Sequence, residues 1–155
     1  SNRLLAEKQW IELTSKFNLP IKIFRLAGIY GPDRNIKQRI VQGLVKNIYK
    51  KGQFFSRIHV EDIINILNLS MCNITENNIY NVADDFSCNL NVVIEYLCDQ
   101  NKFTKPEQIN FDELELNYKK ESFFSENKRV DNSLVKQDLS IILKYPSFKD
   151  GYRNL

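Results

Sequence analysis

Apolar and polar positions recur with two different periods along this chain. In RLLAEKQWIELTSKF, Leu4, Leu5, Trp10, Leu13 and Phe17 mostly share one side of a helix, with Glu and Lys opposite. Asn18 and Pro20 are expected to end it. PIKIF then alternates apolar and polar side chains, which predicts a strand over residues 21–26. RLAGIYGPDRN follows as an abrupt corner, and NIKQRIVQGLV returns to helical spacing with Ile36, Ile40, Val41, Leu44 and Val45 on one stripe. KNIYKK, residues 46–51, reads as the solvated end of that helix, because cations favour a helix C-terminus.

Beyond Gly52, FFSRIHV predicts a short extended piece leading into the helix VEDIINILNLSM, whose Glu61 and Asp62 sit in the first turn where negative charge is favoured. NIYNVADD reads as a strand ending in an acidic turn, with Asp84 and Asp85 as turn residues. CNLNVVIEYLCDQ predicts a helix with Leu90, Val93, Ile94 and Leu97 inward and Ser87 or Asn89 as its cap. From residue 101 to 125 the pattern loosens to one strand at QINF and the charged stretch ELELNYKKES. VDNSLVKQDLSI predicts a short helix, and YPSFKDGYRNL a loop or a last helical turn. Early alternation of helix and strand predicts an α/β fold with parallel strands and crossover helices, and the later part reads as a mostly helical appendage.

Composition narrows the function classes. A chain of 155 residues suits one domain with a real core, or half of a larger one. Its 22 Lys plus Arg against 19 Asp plus Glu leave a net charge of +3, too small to predict a nucleic-acid partner. With neither a long apolar run nor a leader-like segment, no membrane partner is expected and a cytoplasmic location is the default. Cys72, Cys88 and Cys98 form no C-x-x-C pair, so neither a disulfide scaffold nor a metal site is expected. His59 is the only histidine; at the start of a helix it reads first as a structural hydrogen-bonding residue. Arg34, Lys37 and Arg39 surround the corner and form, with Arg57, a candidate anion pocket.

Four stretches in order, RLLAEKQW, RLAGIYGP, SRIHVEDI and YNVADD, resemble the C-terminal half of an extended short-chain dehydrogenase/reductase of the NAD(P)-dependent epimerase/dehydratase family. The resemblance spans nearly the whole chain. It implies the C-terminal part of a Rossmann-like parallel sheet over residues 1–100, with a substrate-side insertion at about 33–55 and a small, mostly helical substrate-side region over 101–155. By the same resemblance Arg3 stands where the family has its catalytic lysine, and the partner tyrosine would fall upstream of Ser1. Arg3, Leu26, Ala27, Gly28 and Ile29 would lie on the cofactor side, and Tyr30, Arg34, Arg57 and His59 on the substrate side.

The cofactor implied for the complete family enzyme is NAD or NADP. This chain carries no G-x-x-G-x-x-G, its five glycines standing at 28, 31, 43, 52 and 151, so tight dinucleotide binding by the chain alone is not expected. Gly28-Ile29 stands where nucleotide-sugar enzymes of the family often carry a substrate-contacting asparagine, which argues against a nucleotide sugar. The implied activity is hydride transfer on a small hydroxyl or carbonyl substrate, with an N-terminal Rossmann half or a second copy as partner. The alternatives are a non-catalytic remnant of a truncated or split gene and a small interaction module.

Overall fold

The computed structural model describes residues 2–114, 124, 127–153 and 155; most of the stretch ELELNYKKES lies outside them. The chain begins with α1 (Asn2–Phe17), then β1 (Ile23–Leu26) and β2 (Gly28–Tyr30) around the corner, and a short α2 (Lys37–Val41). Next come β3 (Asn47–Tyr49), β4 (Arg57–His59), α3 (Val60–Cys72), β5 (Ile79–Val82) and α4 (Leu90–Asn101). The remainder is β6 (Gln108–Asn110), a 3-10 turn (Phe111–Glu113), α5 (Ser133–Asp138) and α6 (Phe148–Tyr152).

All three strand pairs among the described residues are parallel, as the early helix and strand alternation requires: β1 with β5, β2 with β4, and β3 with β6. Ile23 stands opposite Ile79 and Leu26 opposite Val82, while Gly28 faces Arg57 and Tyr30 faces His59. The strand from the PIKIF segment begins later than its alternation suggests, because the Ile21 amide turns back to the Leu19 carbonyl at 2.9 Å.

Two helical expectations change. KNIYKK is not a helix end: its residues 47–49 are β3, bound to β6. The helix stops at Val41 because Gly43 adopts a left-handed φ of +66°. The Gly43 amide donates to Ile40 O at 3.0 Å and the Leu44 amide to Arg39 O at 2.9 Å, a pattern that closes a helix through a glycine just beyond its end. Val41 and Leu44 consequently lie in solvent while Ile40 and Val45 are buried. The second change is α1, whose apolar side chains were expected to share mostly one side of the helix. None of its residues is buried, and Leu4, Leu5, Trp10 and Phe17 are each more than half exposed. Its apolar residues occur on more than one side of the helix, and it is tied to β1 by the Arg25 guanidinium donating to both oxygens of Glu7.

Helix capping follows the sequence more closely. Asn89 caps α4 by accepting from the Asn91 amide at 3.3 Å. The Asp62 carboxylate, fully buried in the first turn of α3, accepts from the Lys144 and Tyr145 amides at 2.8 and 2.9 Å. That pins the C-terminal segment across the N-terminus of α3, where a negative charge is favoured.

Two apolar clusters flank the paired strands. Ile58, Ile63, Ile66, Tyr80, Val82, Val135 and Leu139 join α3 and α5 to β4 and β5. Val93, Ile94, Leu97, Phe148 and Tyr152 join α4 and α6, and Tyr30 enters this second cluster from the corner. The corner is tight: a Cβ on Gly31 would lie 2.6 Å from Val60 Cγ1, and one on Gly151 would overlap the Tyr30 ring. Gly31→Ala is therefore expected to destabilise the fold by about 1–3 kcal/mol in urea unfolding. Adding Val60→Ala is expected to recover part of the loss; an additive double variant would show that the methyl clash is not the cause.

Candidate functional site

The corner that ends β1 is also where the extended chain changes partner. The Ala27 amide donates to Val82 O at 2.9 Å, and the next amide, Gly28, donates to Ser56 O at 3.1 Å. One continuous run therefore binds β5 up to residue 27 and β4 from residue 28. A switch of strand partner at the C-terminal ends of parallel strands is where open α/β sheets leave a crevice for ligands. Here a cleft of about 830 Å³ opens over it, floored by residues 25–30.

Its charge is one-sided. Among the described residues, Arg25, Arg34, Arg39, Arg57 and Lys128 line it, against a single acidic residue, Asp33. Arg25 is neutralised by Glu7, but Arg34, Arg39 and Arg57 make no ion pair among the described residues. The Arg57 guanidinium is held by neutral groups, donating to Phe55 O at 3.1 Å and Cys88 O at 3.4 Å. Such a wall retains its charge for an anion. Lys37 is not part of it: its ammonium donates to Leu155 O at 2.8 Å beside a neighbouring cavity.

The sequence-derived residues are thus partly gathered. Leu26, Ala27, Gly28, Ile29, Tyr30, Arg34 and Arg57 all line the cleft, joined by Arg39, Asn81 and Tyr152. Arg3 does not; it is exposed in the first turn of α1. His59 does not line it either. It is 1% exposed, its Nδ1 accepts from the Glu61 amide at 3.2 Å, and its ring lies against Tyr30 and Tyr145. That makes His59 the N-cap of α3, with burial lowering its pKa below the ordinary 6.5.

Tyr30 borders the cleft but keeps its hydroxyl elsewhere, donating to Ser147 O at 3.3 Å while its ring stacks on Tyr152. Burial raises the pKa of this phenol well above its ordinary value, so it holds its proton at neutral pH. Asn81 stands in the YNVADD stretch but nothing there singles it out, and Tyr152 belongs to neither a charged cluster nor one of the four motif stretches.

Behind the cleft lies a buried acid. Asp84 is 3% exposed; its amide donates to Arg57 O at 2.6 Å, and its Oδ1 accepts from the Phe86 amide at 3.1 Å. Its Oδ2 has no hydrogen-bond partner among the described residues. Burial is the main reason its pKa is pushed up to about 7, opposed by the Phe86 amide and the Arg57 charge. Asp85 is different: it faces Lys136 at 2.9 Å and accepts from Asn132 at 2.7 Å, an ordinary turn carboxylate. Cys88 and Cys98 are buried free thiols, and burial raises both. Among the described residues no group of three His, Cys, Asp or Glu side chains is placed to hold a metal ion, and no helix is long and apolar enough to cross a membrane.

No family model and no curated protein matches the chain. Among solved structures it is similar to a conserved protein of unknown function from Silicibacter pomeroyi, with 42% identity over 99% of this chain and 53% of that one, at a TM-score of 0.92. It is also similar to the UDP-glucose 4-epimerase of Thermotoga maritima, at 16% identity over 95% of this chain and 48% of that one, TM-score 0.74. A third is the dTDP-glucose 4,6-dehydratase of Bacillus anthracis, at 16% identity over 94% of this chain and 46% of that one, TM-score 0.70. The chain spans about half the length of these structures. At such identity the two enzymes establish the fold alone: an α/β arrangement of short parallel strand pairs and helices that matches part of a Rossmann-like fold.

Two groups give stability opposite slopes with pH. Asp84 holds its proton in the fold to about pH 7 but ionises at the ordinary carboxylate value near 3.8 when unfolded, so stability falls as pH rises between those values and levels off above about 7. His59 has a lowered pKa, so its contribution is present above the ordinary value of 6.5 and is lost as pH falls through its folded value. Below 6.5 the His59 slope opposes that of Asp84, so the Asp84 loss stands unopposed between 6.5 and about 7, where thermal melts are expected to show Tm falling as pH rises. Asp84→Asn is expected to flatten that fall and to raise Tm at pH 8 by several degrees. An unchanged fall below about pH 7 in that variant would remove Asp84 as its cause.

Proposed function

We propose that this chain forms the substrate-facing half of an NAD(P)-dependent oxidoreductase of the epimerase/dehydratase type. In that reading the 26–29 backbone lies beside the nicotinamide, and Arg34, Arg39 and Arg57 receive a small hydroxyl or carbonyl substrate that carries an anionic group. The supporting observation is the cleft itself, because the strand switch and three arginines that make no ion pair among the described residues meet in one cavity of about 830 Å³. The Rossmann-like likeness of the fold adds to it. Gly28 and Ile29 line the cleft without a polar side chain, which favours a compact substrate over a nucleotide sugar.

The described residues offer backbone and arginines to a ligand but no glycine-rich turn to hold a pyrophosphate at a helix N-terminus. Hydride transfer needs that cradle and a general acid. Tyr30, with its phenol raised by burial, and His59, with its acceptor nitrogen committed to the α3 cap, do not fill that role. Both functions fall to a nucleotide-binding half.

NADH fluorescence titration is expected to show no saturable binding by the chain below about millimolar concentration. Micromolar binding would overturn the reading that the pyrophosphate cradle lies elsewhere. Joining a glycine-rich β-α-β unit that ends in Tyr-x-x-x ahead of α1 is expected to create NADH binding, which Arg57→Gln leaves intact while weakening substrate. Failure of the joined protein to bind NADH would count against the family reading.

A further inference from the structure

We propose that Asp84 is a proton-linked positioning residue for Arg57, so that capture of an anionic group in the cleft is accompanied by proton uptake on the Asp84 carboxyl. The proposal rests on the cleft being a receptor for anions. It adds a regulatory property that the charge of the arginines alone would not confer.

The geometry places the two residues side by side. The Asp84 amide donates to Arg57 O, which extends the contact of β4 with the end of β5 beyond their own strand partners. Among the described residues the guanidinium meets carbonyls rather than a carboxylate, and Oδ2 of Asp84 is buried without a partner. A buried carboxyl next to an arginine, yet not bonded to it, is poised between two states. Ionised, it shares the positive field of Arg57; protonated, it leaves that field to the cleft. An anion arriving at Arg57 is a like charge to ionised Asp84 and disfavours that state. Ligand and proton therefore favour each other, and by linkage each strengthens the other's binding by the same factor.

Near neutral pH the surrounding groups leave Asp84 as the one that changes charge. Tyr30 on β2 and the Cys88 thiol are both raised by burial and stay protonated. His59 at the end of β4 is lowered and neutral above about pH 6.5. Asp85 is bound to Lys136 and Asn132, and Asp62 on α3 accepts two backbone amides; both carboxylates push the Asp84 pKa upward while Arg57 pulls it down. The proton comes from the buffer and rests on the carboxyl; no other bond is made or broken.

The test uses sulfate as probe, because it does not titrate in this range, with calorimetric titration between about pH 6 and 8.5 in two buffers of different ionisation enthalpy. Affinity of the unaltered chain is expected to fall about tenfold over that span, with net proton uptake on binding near pH 7. Asp84→Asn is expected to bind sulfate at every pH as tightly as the unaltered chain does at pH 6, without proton uptake. Arg57→Gln is expected to bind weakly throughout. A pH-independent affinity in the unaltered chain, or a pH slope that persists in Asp84→Asn, would overturn the proposal and leave the anion cleft standing. Absence of sulfate binding at every pH would overturn the cleft reading, and the proposal with it. Carboxyl-carbon NMR of the ligand-free chain gives a separate check: an Asp84 titration centred near the ordinary carboxylate value would overturn the proposal whatever sulfate does.

Discussion

The seating of one ring organises this molecule. Tyr30 leaves β2 at the corner and inserts between His59, Tyr152 and the backbone of Gly151, with its hydroxyl on Ser147. Residues more than a hundred positions apart in sequence are thereby fixed against the same turn. The turn in turn fixes Gly31 against Val60, which starts α3, so the corner, the last helix and the capped helix are positioned by one packing arrangement. A side chain at residue 151 or 31 would have to displace an aromatic ring or a helix start, which makes these glycines constraints of volume rather than of dihedral freedom.

Charge adds a second level. The cleft wall carries arginines whose counter-charges are missing among the described residues, while the nearest buried acid is set behind the wall and kept from bonding to it. Most proteins cancel such charges by pairing them; here Asp62 and Asp85 follow that habit, satisfied by amides and by Lys136. Asp84 departs from it. A carboxyl left without a partner on one oxygen costs stability, and such costs tend to be retained where a site uses them.

Much of this was legible in the chain, and the exceptions have physical causes. Helices α3 and α4 declared themselves because long apolar stripes and cap residues, His59 and Asn89, point the same way. The parallel pairing followed from alternation of strands with helices. KNIYKK misled because charge at its ends outweighs three residues whose strand character depends on β6, distant in sequence; the signal was Gly43, free to take the left-handed turn that ends α2. The apolar residues of α1 read as mostly sharing one side, yet they spread around the helix and none of them is buried. For the site, the corner and the arginines were visible as motif and charge. Whether Asp84 is a surface turn or a buried acid depends on packing by the segment around Pro146 and Phe148, whose place over residues 84–86 no local pattern states.

The exposure of α1 has a practical side. The single indole of the chain is Trp10, set on that helix at 54% exposure and away from both apolar clusters. Intrinsic emission excited at the red edge of the protein band thus comes from a place that the core does not reach. It is a local optical gauge of whatever lies against α1, shifting to the blue when water is displaced there, and it is insensitive to events deeper in the fold, which tyrosine must report instead.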